Sequence, residues 1–182
     1  NTFQGNVLLN AGTLYIGSAD ALGQGRLIAS GGTIDSLSAP TVANAITLNG
    51  AVAVGGLSNL TLQGVIDGNG RLTKGGAADL SLTGVNTYSG GTFLNGGSIT
   101  IGNAGALGSG DLTVGGGASL TGSMPLALGN AIHLNAGLTL PGSSALTLGG
   151  MIDGMAGLTK TGAGTLTLSG ANTYGGGTTL DN

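Results

Sequence analysis

The chain is predicted to be an all-β, right-handed parallel β-helix of about eight coils. Three observations predict this: apolar residues alternate with small polar ones over short runs, glycine-rich corners separate those runs, and the whole pattern returns after 86 residues. Residues 64–96 and 150–182, laid together at that offset, are identical at 19 of 33 positions. Asn44–Asn49 pairs with Asn130–Asn135 at the same offset, and Asn1–Asn10 pairs with Asn86–Asn95 at an offset of 85. The chain reads as one solenoid domain over 1–182, divided into units of approximately 1–85, 86–171 and a partial 172–182. Asn1 already lies inside a unit and Asn182 stops inside one, so the segment is expected to be a piece of a longer array.

The strand runs are short and regular. Thr13-Leu14-Tyr15-Ile16, Ala45-Ile46-Thr47-Leu48, Asp79-Leu80-Ser81-Leu82, Ser98-Ile99-Thr100-Ile101 and Thr165-Leu166-Thr167-Leu168 all carry the period of two that sends alternate side chains to opposite faces. Leu80, Leu82, Leu166 and Leu168 are therefore placed in the core, with the Thr and Ser residues between them outside. Gly-Gly, Asn-Gly and Gly-Ser steps between the runs suit sharp corners. Nothing sustains a helical period; Ala19–Leu22 and Ala104–Leu107 are expected to make one loose turn each. Strand starts recur at the spacing of an all-β fold. A sandwich would need a unique core of mixed large residues, whereas here the same Leu, Ile, Val and Ala order returns. At roughly 20–25 residues per coil, 86 residues are about four coils, and the rod is roughly 40 Å long at the ~4.8 Å spacing of paired strands.

Composition excludes several classes. Glycine contributes 41 of 182 residues, but there is no Gly-X-Y period and only 3 prolines, which excludes collagen. With 40% hydrophobic residues and a net charge of −3, the chain is not of disordered composition. Lys and Arg total 4 and form no basic stripe, so nucleic acid is not an expected partner. No cysteine and no glutamate occur.

Few residues could carry chemistry. His133 is the sole histidine and takes the outward place that Thr47 holds in the other copy, so it reads as a surface residue of a strand. One histidine without cysteine cannot build a His/Cys metal site. Asp67 and Asp153 stand in the Ile-Asp-Gly corner of successive copies. Four coils would separate them by about 19 Å along the rod, too far for a paired-carboxylate mechanism, and they are expected to bond the turn backbone. Asp111 lacks the recurrent glycine spacing of calcium-binding nonapeptides. Asn1-Thr2-Phe3, Asn86-Thr87-Tyr88 and Asn172-Thr173-Tyr174 form a recurring corner in which Asn bonds the backbone and the ring covers the neighbouring coil; an aromatic ligand platform is the other reading of these residues. No catalytic, cofactor or metal site is assigned, and the chain is read as a non-enzyme.

Gly157-Leu158-Thr159-Lys160-Thr161-Gly162-Ala163-Gly164-Thr165-Leu166-Thr167-Leu168-Ser169-Gly170-Ala171-Asn172-Thr173-Tyr174-Gly175-Gly176-Gly177-Thr178-Thr179-Leu180 resembles the passenger-associated transport repeat of Gram-negative autotransporters. Residues 72–101 resemble it more loosely, with Lys74 matching Lys160 and departures at Gly75 and Asp79. The resemblance implies a secreted or cell-surface passenger built as a β-helix, exported through its own C-terminal outer-membrane barrel, which is its implied partner. It also implies a stalk that assists folding and export and presents an effector region. A cysteine-free chain suits this, since no disulfide loop would obstruct a narrow pore. Two other functions stay open at this level. One is an adhesive module that binds host surfaces or its own kind. The other is an ice-binding surface built from outward Thr-x-Thr rows such as Thr159-x-Thr161 and Thr165-x-Thr167.

Overall fold

Residues 1–181 are described by a computed structural model, which is all-β and contains no helix among them. Every strand pair is parallel, and strands wind around three faces in strict rotation. The first face holds β1 (Val7–Leu9), β3 (Leu27–Ala29), β6 (Ile46–Leu48) and β9 (Ile66–Gly68), and later β16 (Leu126–Leu128), β19 (Leu146–Leu148) and β22 (Leu166–Leu168). The second holds β2 (Thr13–Ile16), β4 (Thr33–Ser36), β7 (Val52–Val54), β10 (Leu72–Lys74), β12 (Thr92–Leu94), β14 (Leu112–Val114), β17 (Ile132–Leu134) and β20 (Ile152–Gly154). The third holds β5 (Thr41–Val42), β8 (Leu60–Leu62), β11 (Asp79–Leu82), β13 (Ser98–Ile101), β15 (Ala118–Gly122), β18 (Leu138–Leu140), β21 (Leu158–Lys160) and β23 (Thr178–Leu180). On the first face the passes at 86–89 and 105–109 are not regular strand. Backbone bonds still hold them to their neighbours, Thr87 N–H to Ile66 O at 2.8 Å and Ser109 N–H to Tyr88 O at 2.9 Å. The expected loose turns lie on two first- or third-face passes, with Ala21 N–H bonded to Ser18 O and Ala106 N–H to Asn103 O.

The coil is shorter than the upper part of the expected range, and there are more coils than expected. Leu72 pairs with Thr92, Thr92 with Leu112, Leu112 with Ile132 and Ile132 with Ile152, a step of 20 residues each time. About nine turns result, not eight. One sequence unit is about four coils, as expected, with a remainder. Eighty-six residues are four coils of 20 and six over, and six residues is the step from Ile66 on the first face to Leu72 on the second. Each copy of the unit is therefore turned by one face relative to the last. Asp67 lies on the first face and Asp153 on the second; Leu80 lies on the third and its counterpart Leu166 on the first.

The core is a continuous spine of Leu, Ile and Val. Leu80 and Leu82 are fully buried, as are Ile66, Leu72, Leu112 and Leu148. Like side chains stack because the register is regular: Leu60, Leu80, Ile99 and Leu120 follow one another up the third face. Leu166 and Leu168, assigned to the core from sequence, pack on its edge and are only half-buried, because no further coil among the described residues covers β22. The glycine of Ile-Asp-Gly is demanded by this close stacking. Gly68 and Gly154 have φ of 102° and 105°, and a Cβ there would come within 2.1 Å of Leu48 O and 2.3 Å of Leu134 O.

Candidate functional site

The repeat motif occupies equivalent corners on different faces. Asn86, 4% exposed, reaches both neighbouring coils: its Oδ1 accepts the Ile66 N–H at 2.8 Å and its Nδ2 donates to Ala106 O at 2.6 Å. The amide thus replaces the ladder bonds that the irregular pass at 86–89 cannot make for itself. Tyr88 turns inward and is fully buried, its hydroxyl 2.6 Å from Thr92 Oγ1. Burial raises the Tyr88 phenol to about 12, against the pull of the Thr92 hydrogen bond. Thr87 is exposed. In the second copy Asn172 Oδ1 accepts the Ile152 N–H at 2.9 Å and the Tyr174 hydroxyl meets Thr178 Oγ1; Thr173 N–H bonds Ile152 O at 2.8 Å. At the N-terminus Asn1 Nδ2 donates to Ala21 O at 2.8 Å, while Phe3 O accepts the Gln24 N–H at 2.8 Å.

Lys74 and Lys160 point into the solenoid. They are 1% and 3% exposed, in phase with Leu72 and Leu158. Each ammonium caps corner carbonyls: Lys74 Nζ donates to Gly75 O and to Gly76 O at 3.1 Å, and Lys160 Nζ donates to Gly162 O and to Gly142 O at 3.0 Å. Burial lowers the Lys74 pKa, with the charges of Asp79 and Asp35 acting in the opposite direction. Both lysines belong to the repeat motif, and their inward orientation emerges from the fold. Strict alternation after Leu72-Thr73 and Leu158-Thr159 was the available signal.

The two Ile-Asp-Gly aspartates, expected to bond the turn backbone, bind basic side chains across coils instead. Arg26 Nη1 donates to Asp67 Oδ2 at 2.7 Å and Oδ1 at 2.9 Å, and also to Thr47 Oγ1 of the coil between them. Asp153 Oδ1 lies 2.7 Å from His133 Nδ1, and Asp111 Oδ2 lies 3.2 Å from His133 Nε2. His133 is therefore more than a surface residue: it is the middle rung of an outward ladder on the second face, one coil from each aspartate. Its pKa is raised, first by the hydrogen bond to Asp153, next by that to Asp111, with partial desolvation acting in the opposite direction. Beside the ladder, Arg71 stacks over the Phe93 ring at 4.7 Å. Where the first copy departs from the motif, Asp79 Oδ1 accepts the hydroxyls of Ser98 and Thr100 from the next coil, at 2.7 and 3.0 Å.

Further asparagines, not singled out by sequence, clamp corners. Asn44, Asn103 and Asn130 each donate Nδ2 to two carbonyls of the preceding coil, at 2.7–3.1 Å. Chemically the arrangement is one of bracing. Both nitrogens of the sole histidine face carboxylates, so the imidazole is held between them rather than against a hydroxyl. No group of three His, Cys, Asp or Glu side chains is placed to hold a metal ion among the described residues.

Comparison with curated proteins found no match, and comparison with solved structures found none. A family model, the passenger-associated transport repeat, matches residues 72–101 and 158–182. Those segments run from β10 to β13 and from β21 through β23, and contain the buried lysines and the Asn-Thr-Tyr corners described above. The chain is accordingly a parallel β-solenoid in which two segments, set one face apart, match the passenger-associated transport repeat.

Proposed function

We propose that this solenoid is a stalk segment of a secreted autotransporter passenger, which folds outside the cell, favours onward export by doing so, and holds an effector region away from the bacterial surface. The observation that carries this is the range of its contacts. Each strand pairs only with strands one coil away, about 20 residues along the chain. A coil can therefore add to a folded edge as soon as its own residues emerge, with no distant segment required. Each inward Leu or Ile adds ~1.5–3 kcal/mol of transfer free energy, which opposes return of the chain. Bracing side chains close several of its corners without cysteine.

The test is secretion of a passenger containing this segment, with and without residues 158–182, read as the fraction reaching the cell surface. The repeat-deleted passenger is expected to stall, with less surface material at equal synthesis. Undiminished export would refute the transport role.

A second reading, an adhesive module, is favoured by the third face. Thr61, Ser81, Thr100 and Thr121 stand in register there, a column of outward hydroxyls with Ser98, Ser119 and Thr139 beside it. Clumping of cells displaying the segment, lost when those hydroxyl residues are changed to Ala, would support it; full display without clumping or host attachment would not.

A further inference from the structure

The same repeat aspartate is held by a permanent cation in one copy and a titratable one in the other. Asp67 is bound by Arg26, and a guanidinium is a permanent cation. Asp153 is bound by His133, which also reaches Asp111 on the opposite side. The three residues sit on, or immediately before, β20, β17 and β14, so one imidazole spans three successive coils. Those strands offer the ring no other ionisable group: β14 is Leu112, Thr113 and Val114, and β20 adds Ile152 and Gly154 to its aspartate. On the pass beyond β20 the outward residue is Thr173. Arg71, stacked on Phe93, lies two coils before Asp111.

We propose that Asp111, His133 and Asp153 form a proton-controlled clasp that tightens the C-terminal coils when the ring is charged and loosens them when it is neutral. A charged imidazole has two N–H donors, one for each carboxylate. A neutral one has a single donor, and its other nitrogen then presents a lone pair to a carboxylate. One of the two links between coils is lost, and the two carboxyl groups then face each other across an uncharged ring.

The direction follows from linkage. The folded pKa of His133 lies above its unfolded value of ~6.5. The clasp therefore contributes fully below ~6.5 and is lost as pH rises through the higher folded value. The Arg26–Asp67 pair is present throughout this window and supplies a control inside the same molecule. The ring is about a third exposed, with side-chain accessibility of 34%, so the effect is that of a partly screened network.

The experiment is hydrogen exchange of the whole chain at about pH 5.5 and about pH 8.5, corrected for intrinsic exchange rates, together with NMR titration of the histidine ring. The sole histidine makes its resonance unambiguous. Opening of β14, β17 and β20 is expected to rise about threefold to tenfold at the higher pH, while β3, β6 and β9 do not change. His133→Gln should remove this difference, and Arg26→Gln should leave it in place. A ring that titrates at or below ~6.5 overturns the proposal, as does a pH difference that survives in H133Q. Were H133Q not to fold, the ring titration of the unmodified chain decides alone.

Discussion

An asparagine in the wall of a solenoid can stand in for backbone. Asn86 accepts from the Ile66 N–H on one side and donates to Ala106 O on the other, joining three coils at a pass that is not regular strand. Its removal strands a buried donor and a buried acceptor, each costing ~1–3 kcal/mol. Asn86→Ala is expected to lower stability by about 2–4 kcal/mol in urea titration. Asn172 serves one N–H at a half-buried corner near the open edge, so Asn172→Ala should cost about 1 kcal/mol. Equal losses at the two sites would contradict the bridging role. Lys74 makes a related point. An amine in the core is tolerated because corner carbonyls face inward, and the flanking alternation dictates that it enters.

At the scale of the strand, position in the stack sets the weight of a side chain. Leu80 is fully buried between Leu60 and Ile99, whereas its counterpart Leu166 in the second copy is half-buried on β22, the last strand of its sheet. Leu80→Asp is expected to abolish cooperative folding, since an unpaired carboxylate would have to enter the spine. Leu166→Asp should leave the protein folded and lower the melting temperature by a few degrees, because the carboxylate can turn to water. Circular dichroism melts of the two variants give the comparison. A large loss from Leu166→Asp would mean that β22 is sealed more tightly than its accessibility indicates. The alternation that marks these strands was legible in sequence, and so was the inward set. The difference between Leu80 and Leu166 was not, since it depends on what lies above each strand.

The described residues form a stack of about nine near-equivalent turns, and such a stack, taken alone, frays from its ends. Hydrogen exchange should show greatest protection in β10–β15 and least in β1, β22 and β23, declining steadily toward both ends. A single uniform protection factor along the chain would indicate one all-or-none unit instead. The deeper feature at this scale is the mismatch between unit and coil. A unit of 86 residues advances the motif by one face, so the Asn-Thr-aromatic corner appears on the third, first and second faces in turn. A given motif surface is thereby distributed around the rod rather than along one side. The corner can recur on any face because its asparagine bonds to adjacent coils and, in the two later copies, its tyrosine bonds a threonine four residues on.

Period-two alternation, glycine corners and self-similarity are local or nearly local properties, so the sequence by itself determined a β-solenoid and most of its inward residues. Coil length and pairing partners depend on which residues meet after a full turn, and only the tertiary structure decided those. That is why 86 residues became four coils and a third. The same cause set Asp67 against Arg26 and Asp153 against His133, and gave the two inward lysines their corner carbonyls. Contacts between side chains 20 and 40 residues apart are dictated by the winding of the chain, which no single stretch of residues encodes.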